Sequence, residues 1–211
     1  MKEKNYLKLS NPPKEFVDLC IEAVENYKDQ PWKIIMSDNH FSSDVDEDYH
    51  EKFRKIIPQR IYNVSVNLIK KAILPITHID RGRKAALQMP IVADPTVHKV
   101  YVLRREKFFK KLRPDTKNRG EFRKDNKPEI TKWDNQRYPG MPMFHIFDEK
   151  YMEISPVEPL IPYITDTSVP HGGIHYDGHG SQPTNERWFV SVSLAERTSV
   201  AERELIFKDW L

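Results

Sequence analysis

Apolar residues follow two different periods along this chain. In its first quarter they recur three and four positions apart, over residues 16–27 and more briefly over residues 49–57. That spacing predicts two amphipathic helices that pack through one face on a sheet. The pair Ser10-Asn11, just ahead of two prolines, is predicted to cap the first helix. The polar and acidic residues 37–48 are predicted to form a loop.

After Pro58 the apolar period shortens to two, which is typical of strands with one buried face. Breaks rich in Pro, Gly or Asp separate eight such runs. Eight short strands behind two helices predict a mainly β (α+β) fold, the double-stranded β-helix or jelly roll, with helices that buttress one sheet. The predicted strands cover residues 61–69, 73–79, 86–92, 99–103, 144–147, 151–154, 160–164 and 187–194.

Length and composition predict a single domain. A chain of 211 residues with 38% hydrophobic and 31% charged residues can bury a sizeable core without division. We expect one domain over residues 1–211, with a helical N-terminal part (1–58) and a jelly-roll core (59–211). Cys20 is the single cysteine, so no internal disulfide can form. Because no signal-peptide pattern and no apolar run of ~20 residues is present, a cytoplasmic location is expected.

The net charge of +3 conceals a strongly basic segment. Residues 104–127 contain eleven basic and four acidic residues, a net charge of +7, so the rest of the chain carries −4. One interpretation is a mobile cover over a site, or a patch that meets phosphates or an acidic partner. The other interpretation is a solvated insertion between two strands of the barrel. The segment favours an anionic or macromolecular substrate, and nucleic acid is among the candidates.

The residues with the clearest chemistry are His78 and Asp80, followed far downstream by His171. His and Asp two positions apart on a strand point to the same side of it. Two imidazoles and one carboxylate can occupy one face of an octahedral metal and leave the opposite face open, which suits non-haem Fe(II). Arg187 carries a planar fork of donors that can clamp a dicarboxylic acid. This set of residue types indicates an oxygenase site.

The segments around these residues resemble the 2-oxoglutarate/Fe(II)-dependent dioxygenases. They are residues 77–91, 166–173 and 187–194, and they are similar to small stand-alone members from bacteria and phages. The resemblance extends over residues 60–94 and 144–195. It implies Fe(II), 2-oxoglutarate as co-substrate and O2, with hydroxylation of a C–H bond and release of succinate and CO2. If the chain is virus-encoded, it would act in the host cell.

The resemblance also implies a role for individual residues. His78, Asp80 and His171 would be the iron ligands and so the catalytic centre. Arg187 would hold the distal carboxylate of 2-oxoglutarate, with Ser191 on the same face of the strand as a helper.

Three further residues are weaker candidates. Asn67, on the strand before the metal motif, would hydrogen-bond the keto-acid. Arg83 would orient Asp80 or face the substrate, and its alternative is a solvent-facing arginine. His175 is the alternative third iron ligand.

Two other classes of function stay open from the sequence. The first is a cupin-type metalloenzyme that does not use 2-oxoglutarate. The second is a non-enzymatic module that binds nucleic acid or protein through the basic segment. Arg187 has its own alternative, a surface arginine paired with Glu186 or Glu196. Neither the primary substrate nor the oligomeric state follows from these patterns.

Overall fold

The computed structural model describes residues 5–30, 32–34, 40–70, 77–78, 80, 85–103, 132–134, 142–144, 152–169, 171–175, 186–195 and 200–211. The predictions for Arg83 and for the basic segment 104–127 lie outside these residues.

The described part of the chain consists mainly of strands. Its helices are α1 (Lys14–Tyr27), α2 (Glu47–Ile56) and α3 (Val200–Ile206), with a short 3-10 helix at Lys208–Trp210. The strands are β1 (Tyr6–Lys8), β2 (Lys33–Ile34), β3 (His40–Asp44), β4 (Ile61–Ile69), β5 (Thr77–His78), β6 (Ala85–Val92), β7 (His98–Leu103), β8 (Lys132–Asp134), β9 (Pro142–Phe144), β10 (Met152–Pro156), β11 (Tyr163–Asp166), β12 (His171–His175) and β13 (Arg187–Leu194).

The strands form two antiparallel sheets. The larger sheet has the order β1-β11-β6-β13-β4-β3-β2, and the smaller has the order β10-β7-β12-β5-β9-β8. Eight strands alternate between the two sheets along the chain. The larger sheet contains β4, β6, β11 and β13, and the smaller contains β5, β7, β10 and β12. The alternation is interrupted once, because β7 and β10 are neighbours in the smaller sheet. This alternation is the jelly roll, and the predicted fold is confirmed.

The apolar core lies between the larger sheet and α1. Alternate residues of two neighbouring strands, Val64 and Val66 on β4 and Val190 and Val192 on β13, share one buried cluster with the inner face of the helix. Burying one phenylalanine such as Phe16, which is fully buried, stabilises the fold by about 1.5–3 kcal/mol. The predicted apolar face of α1 is confirmed. It consists of Phe16, Leu19, Cys20, Ala23 and Val24.

Two predictions for the N-terminal part are wrong. Pro13 occupies the N-cap of α1, and no side chain caps that helix. The predicted loop 37–48 contains β3 and the start of α2, where the Tyr49 amide donates to the Asp46 carboxylate at 2.9 Å. Polar side chains do not prevent β3 from forming, because its ladder with β4 is made by the backbone. The N-terminal part therefore adds β1, β2 and β3 to the two edges of the larger sheet.

The remaining strand predictions differ in their accuracy. Strands β4, β6, β7 and β13 lie within one residue of their predicted bounds. The strand predicted over 160–164 begins instead at Tyr163, because Leu160 has a left-handed backbone with φ of 61°. The segment from His171, for which no strand was predicted, is strand β12, which pairs with β7 and β5. No helix in the described residues is long and apolar enough to cross a membrane.

Candidate active site

His171 and Asp80 come together at one end of the smaller sheet. His171 begins β12 and is 4% exposed, and its Nε2 lies 3.6 Å from Oδ2 of Asp80. The Asp80 amide donates to the carbonyl of Thr167 at 3.0 Å, which fixes the backbone beside the carboxylate. Two ligands about 2.1 Å from one ion lie about 3.0–3.4 Å apart at angles of 90–109°. The observed spacing is close to that of two groups sharing a metal.

The tautomer of His171 leaves Nε2 able to bind a metal. Nδ1 lies 2.9 Å from the carbonyl oxygen of Val169. A carbonyl can only accept, so Nδ1 donates, and in a neutral ring the lone pair is then on Nε2. A hydrogen bond from the ring nitrogen that does not bind the metal orients metal-binding histidines. Nε2 is therefore the ring nitrogen that faces Asp80.

The backbone places His78 directly beside His171. β5 and β12 are antiparallel, and His171 is the register partner of His78. Positions opposed in this way lie on one face of a sheet. The two parts of the predicted metal set, 93 positions apart in sequence, are thus neighbours in the fold.

His175 lies farther from this pair. It ends β12 and is the register partner of His98, four residues beyond His171. Four residues of strand extend about 13 Å, so the structure favours His171 over His175 as the partner of Asp80. His98 is fully buried and its Nδ1 accepts from the Asp94 amide at 2.9 Å, which is a structural role. Among the described residues, no group of three or more His, Cys, Asp or Glu side chains could hold a metal.

Arg187 is a buried cation that pairs with no carboxylate of the described residues. The residue begins β13 and is 2% exposed. Its Nη2 donates to the Tyr163 hydroxyl at 2.5 Å and to Oε1 of Gln88 at 3.2 Å, and its Cζ lies 4.5 Å from the centre of the Phe189 ring. Within the described chain its buried Nε has no hydrogen-bond partner, and no carboxylate pairs with the guanidinium. An uncompensated buried charge is costly, so this arrangement fits a site for an anion.

The alternative role for Arg187, a surface arginine, is wrong. The side chain is buried, and Glu186 instead accepts a hydrogen bond from the Trp188 indole at 3.2 Å. Glu196 lies outside the described residues. Because burial strengthens electrostatic interactions, Arg187 can hold an anion more firmly than an exposed arginine could.

Gly173 lies close to this cation. A Cβ atom built on Gly173 would lie 3.3 Å from Nη1 of Arg187. Any other residue at this position would therefore crowd the guanidinium. The close approach of β12 to Arg187 also shows that this face of the larger sheet is turned toward the smaller sheet.

The His171–Asp80 pair and Arg187 lie beside positions of β12 that are two residues apart. His171 and Gly173 are two residues apart on β12, which is about 6.6 Å along a strand. In a five-carbon diacid, four C–C bonds of about 1.5 Å separate the carboxyl carbons. One molecule can therefore reach from the His171–Asp80 pair to Arg187.

Two predicted helper residues lie on the same inward face. Ser191 is 5% exposed and is the register partner of both Ser65 and Gln88. Asn67 is 5% exposed, and its amide nitrogen donates to the Ser65 carbonyl at 3.1 Å and hydroxyl at 3.0 Å. The structure places both in the lumen and gives neither a contact with Arg187.

Tyr163 and Gln88 are site residues that the sequence reading missed. Tyr163 is 1% exposed, and its hydroxyl donates to Oε1 of Gln88 at 2.5 Å. Burial raises the pKa of Tyr163, against the opposing charge of Arg187, so the phenol keeps its proton at neutral pH and can donate it. Gln88 is the one hydrogen-bonding side chain in β6, and that interruption of an apolar strand was the available signal.

Comparison with known proteins supports the fold. No protein-family model and no curated protein matches the sequence. The non-heme alpha ketoglutarate dependent epimerase SnoN from nogalamycin biosynthesis is 10% identical over 92% of this chain and 80% of its own, with a TM-score of 0.51. HygX from Streptomyces hygroscopicus, with nickel and 2-oxoglutarate bound, is 5% identical over 93% and 85%, with a TM-score of 0.48. A Pseudomonas putida prolyl-4-hydroxylase is 8% identical over 92% and 94%, with a TM-score of 0.43. At these identities the likeness to SnoN establishes a shared fold.

Proposed function

We propose that this protein is an Fe(II)- and 2-oxoglutarate-dependent oxygenase that hydroxylates a C–H bond of its primary substrate, with release of succinate and CO2. The observation that carries the proposal is the buried Arg187, which no described carboxylate pairs with and which lies beside Gly173, two strand positions from His171. A metal-binding pair alone would serve many enzymes, whereas a buried cation at this distance selects a dicarboxylic co-substrate.

Iron fits the donor set of this site. Asp80 and Nε2 of His171 would hold it, with His78, the register partner of His171, as the third ligand. One carboxylate and two imidazoles leave three positions for the co-substrate and O2. When bound, Fe(II) would supply the activation of O2 that no protein side chain can provide.

The protein's own residues would bind and orient the co-substrate. Arg187 would hold its distal carboxylate through Nε and Nη1, the two nitrogens that no described residue occupies. Ser191 and Asn67 would contribute hydrogen bonds from the same inward face, and Arg83 would orient Asp80 or the substrate. Burial of Arg187 and His171 keeps water from the reacting groups.

The proposal is tested by succinate formation from 2-oxoglutarate. Purified protein with Fe(II), O2 and ascorbate would be assayed by NMR against pools of candidate substrates. We expect stimulated succinate formation in at least one pool and loss of that activity in His78→Ala. Succinate formation that His78→Ala leaves unchanged would remove the catalytic assignment, and hydroxylation would be identified by incorporation of one atom of 18O2 into the product.

The primary substrate is proposed from charge alone. The basic segment 104–127 carries +7, and we propose an anionic or macromolecular substrate for that reason. Pools of nucleic acid, acidic peptides and phosphorylated metabolites should therefore stimulate turnover more than neutral pools. The preference should weaken steeply with added salt.

Gly173→Ala is expected to weaken 2-oxoglutarate binding about tenfold, or about 1.4 kcal/mol. The added methyl would lie 3.3 Å from Nη1 of Arg187 and would displace the guanidinium from the carboxylate that it binds. Calorimetric titration of the Mn(II)-loaded, oxygen-free protein measures the change. Ser155→Ala, in the same sheet on β10, serves as the control and should bind like the wild type. Unchanged affinity in Gly173→Ala would mean that the co-substrate does not bind to Arg187 beside Gly173.

A further inference from the structure

One oxygen atom of Gln88 accepts hydrogen bonds from both Tyr163 and Arg187. Its Oε1 accepts from the Tyr163 hydroxyl at 2.5 Å and from Nη2 of Arg187 at 3.2 Å. The three residues come from β6, β11 and β13, which are adjacent in the larger sheet. Tyr163 is the register partner of Gln88 on one side, and Ser191 is its partner on the other. Gln88 is therefore the centre of this polar cluster.

The directions of these hydrogen bonds determine what each group can still do. The Tyr163 proton is donated to Gln88, and the Tyr163 oxygen accepts from Arg187 Nη2 at 2.5 Å. The phenol is therefore occupied by the protein in both roles, and Nη2 is occupied as well. No described residue bonds Nε or Nη1 of Arg187, and Nη1 is the atom nearest to a Cβ built on Gly173.

We infer that Gln88 is a positioning residue that fixes the orientation of Arg187 and thereby sets which length of keto-acid the site accepts. The inference rests on the proposed function. Because Tyr163 and Gln88 both accept from Nη2, the guanidinium is fixed in one orientation. Its Nε and Nη1 then lie at a fixed distance from the His171–Asp80 pair. A diacid must then have the right number of methylenes to reach both the metal and Arg187, because a buried charge left unpaired is penalised. A guanidinium released from Gln88 could follow a longer or a shorter diacid.

The test compares three keto-acids on the full-length, Mn(II)-loaded protein without oxygen. The probes are 2-oxoglutarate, the one-methylene longer 2-oxoadipate and the one-methylene shorter oxaloacetate, with dissociation constants from calorimetry. We expect the wild type to prefer 2-oxoglutarate by at least about tenfold over both. In Gln88→Leu we expect the Kd for 2-oxoglutarate to rise about tenfold. Because the Kd values of the other two acids should change less, the preference for 2-oxoglutarate should fall to about threefold or below.

Gln88→Glu separates positioning from packing. The glutamate keeps an acceptor oxygen for Tyr163 and Arg187, and it adds a negative charge beside the guanidinium. We expect it to keep the melting temperature of the wild type and to weaken all three keto-acids by about a hundredfold, since it competes for the same cation. Tyr163→Phe, which removes the second acceptor of Nη2, should reduce the preference in the same direction as Gln88→Leu.

The outcomes distinguish this inference from the proposed function. If Gln88→Leu keeps the wild-type ratio of the three constants, with or without a lower melting temperature, Gln88 is a packing residue and the inference is overturned. In that case the oxygenase proposal stands, provided that the wild type binds 2-oxoglutarate. If the wild type binds none of the three acids, the proposed function fails, and the inference fails with it.

Discussion

Replacing His171 with alanine is expected to lower succinate formation by about a thousandfold and to remove stoichiometric iron. The variant deletes the nitrogen that lies 3.6 Å from the Asp80 carboxylate. The backbone register of His78 with position 171 is unchanged. A metal's contribution to a reaction is several kcal/mol, and about 4 kcal/mol corresponds to about a thousandfold in rate. Succinate measured by NMR and iron measured by mass spectrometry would be determined on the same samples.

His50→Ala is the matched control for that experiment. His50 is 6% exposed and lies on α2, away from the His171–Asp80 pair. Its replacement should cost stability and leave iron content and turnover per folded molecule unchanged. If His171→Ala behaves in the same way, the His171–Asp80 contact is a structural ion pair, and the metal assignment fails.

Replacing Arg187 with methionine is expected to raise the Kd of 2-oxoglutarate by about a hundredfold and to leave metal binding intact. Methionine fills much of the same apolar volume and removes the only cation in the described part of this cluster. Hydrogen bonds to charged groups contribute about 1.5–3 kcal/mol, and about 2.8 kcal/mol corresponds to a hundredfold. Tyr163 and Gln88 can remain bonded to each other, so the fold should survive.

Arg187→Lys refines this prediction. Lysine keeps the charge and loses the planar fork, so its affinity for 2-oxoglutarate should be intermediate. Calorimetry with Mn(II) in place of Fe(II) measures both the metal and the keto-acid. Binding by Arg187→Met as tight as by the wild type would favour a cupin-type metalloenzyme that does not use 2-oxoglutarate.

Local pattern was sufficient for much of the fold. The period of two over β4 and β13 follows from strands that bury one face, and the helical period over α1 follows from its contact with the larger sheet. Both periods can be recognised from short stretches of consecutive residues. β3 was missed because an edge strand held by its backbone ladder needs no apolar side chains, and β12 was missed because its glycines are typical of turns.

Some residues of the candidate site could be predicted from the sequence, and others could not. His78, Asp80, His171 and Arg187 could be chosen from the sequence because their residue types, spacing and family resemblance pointed to metal and carboxylate chemistry. In the structure His171 is the register partner of His78, and its Nε2 lies 3.6 Å from Asp80. Gln88 could not be chosen, because a single glutamine in an apolar strand has no chemistry until its neighbours are known.

The sequence by itself determined the residue types of the site and the periods that make helices and strands, since both depend on near neighbours along the chain. The tertiary structure alone decided that Arg187 is buried with no carboxylate of the described residues beside it, that Gly173 lies next to its Nη1, and that one oxygen of Gln88 holds it. Arg187 and Gln88 are 99 positions apart. Contacts of that kind depend on which strands become neighbours in the sheet, and that order is settled only when the whole jelly roll closes and water is removed from its interior.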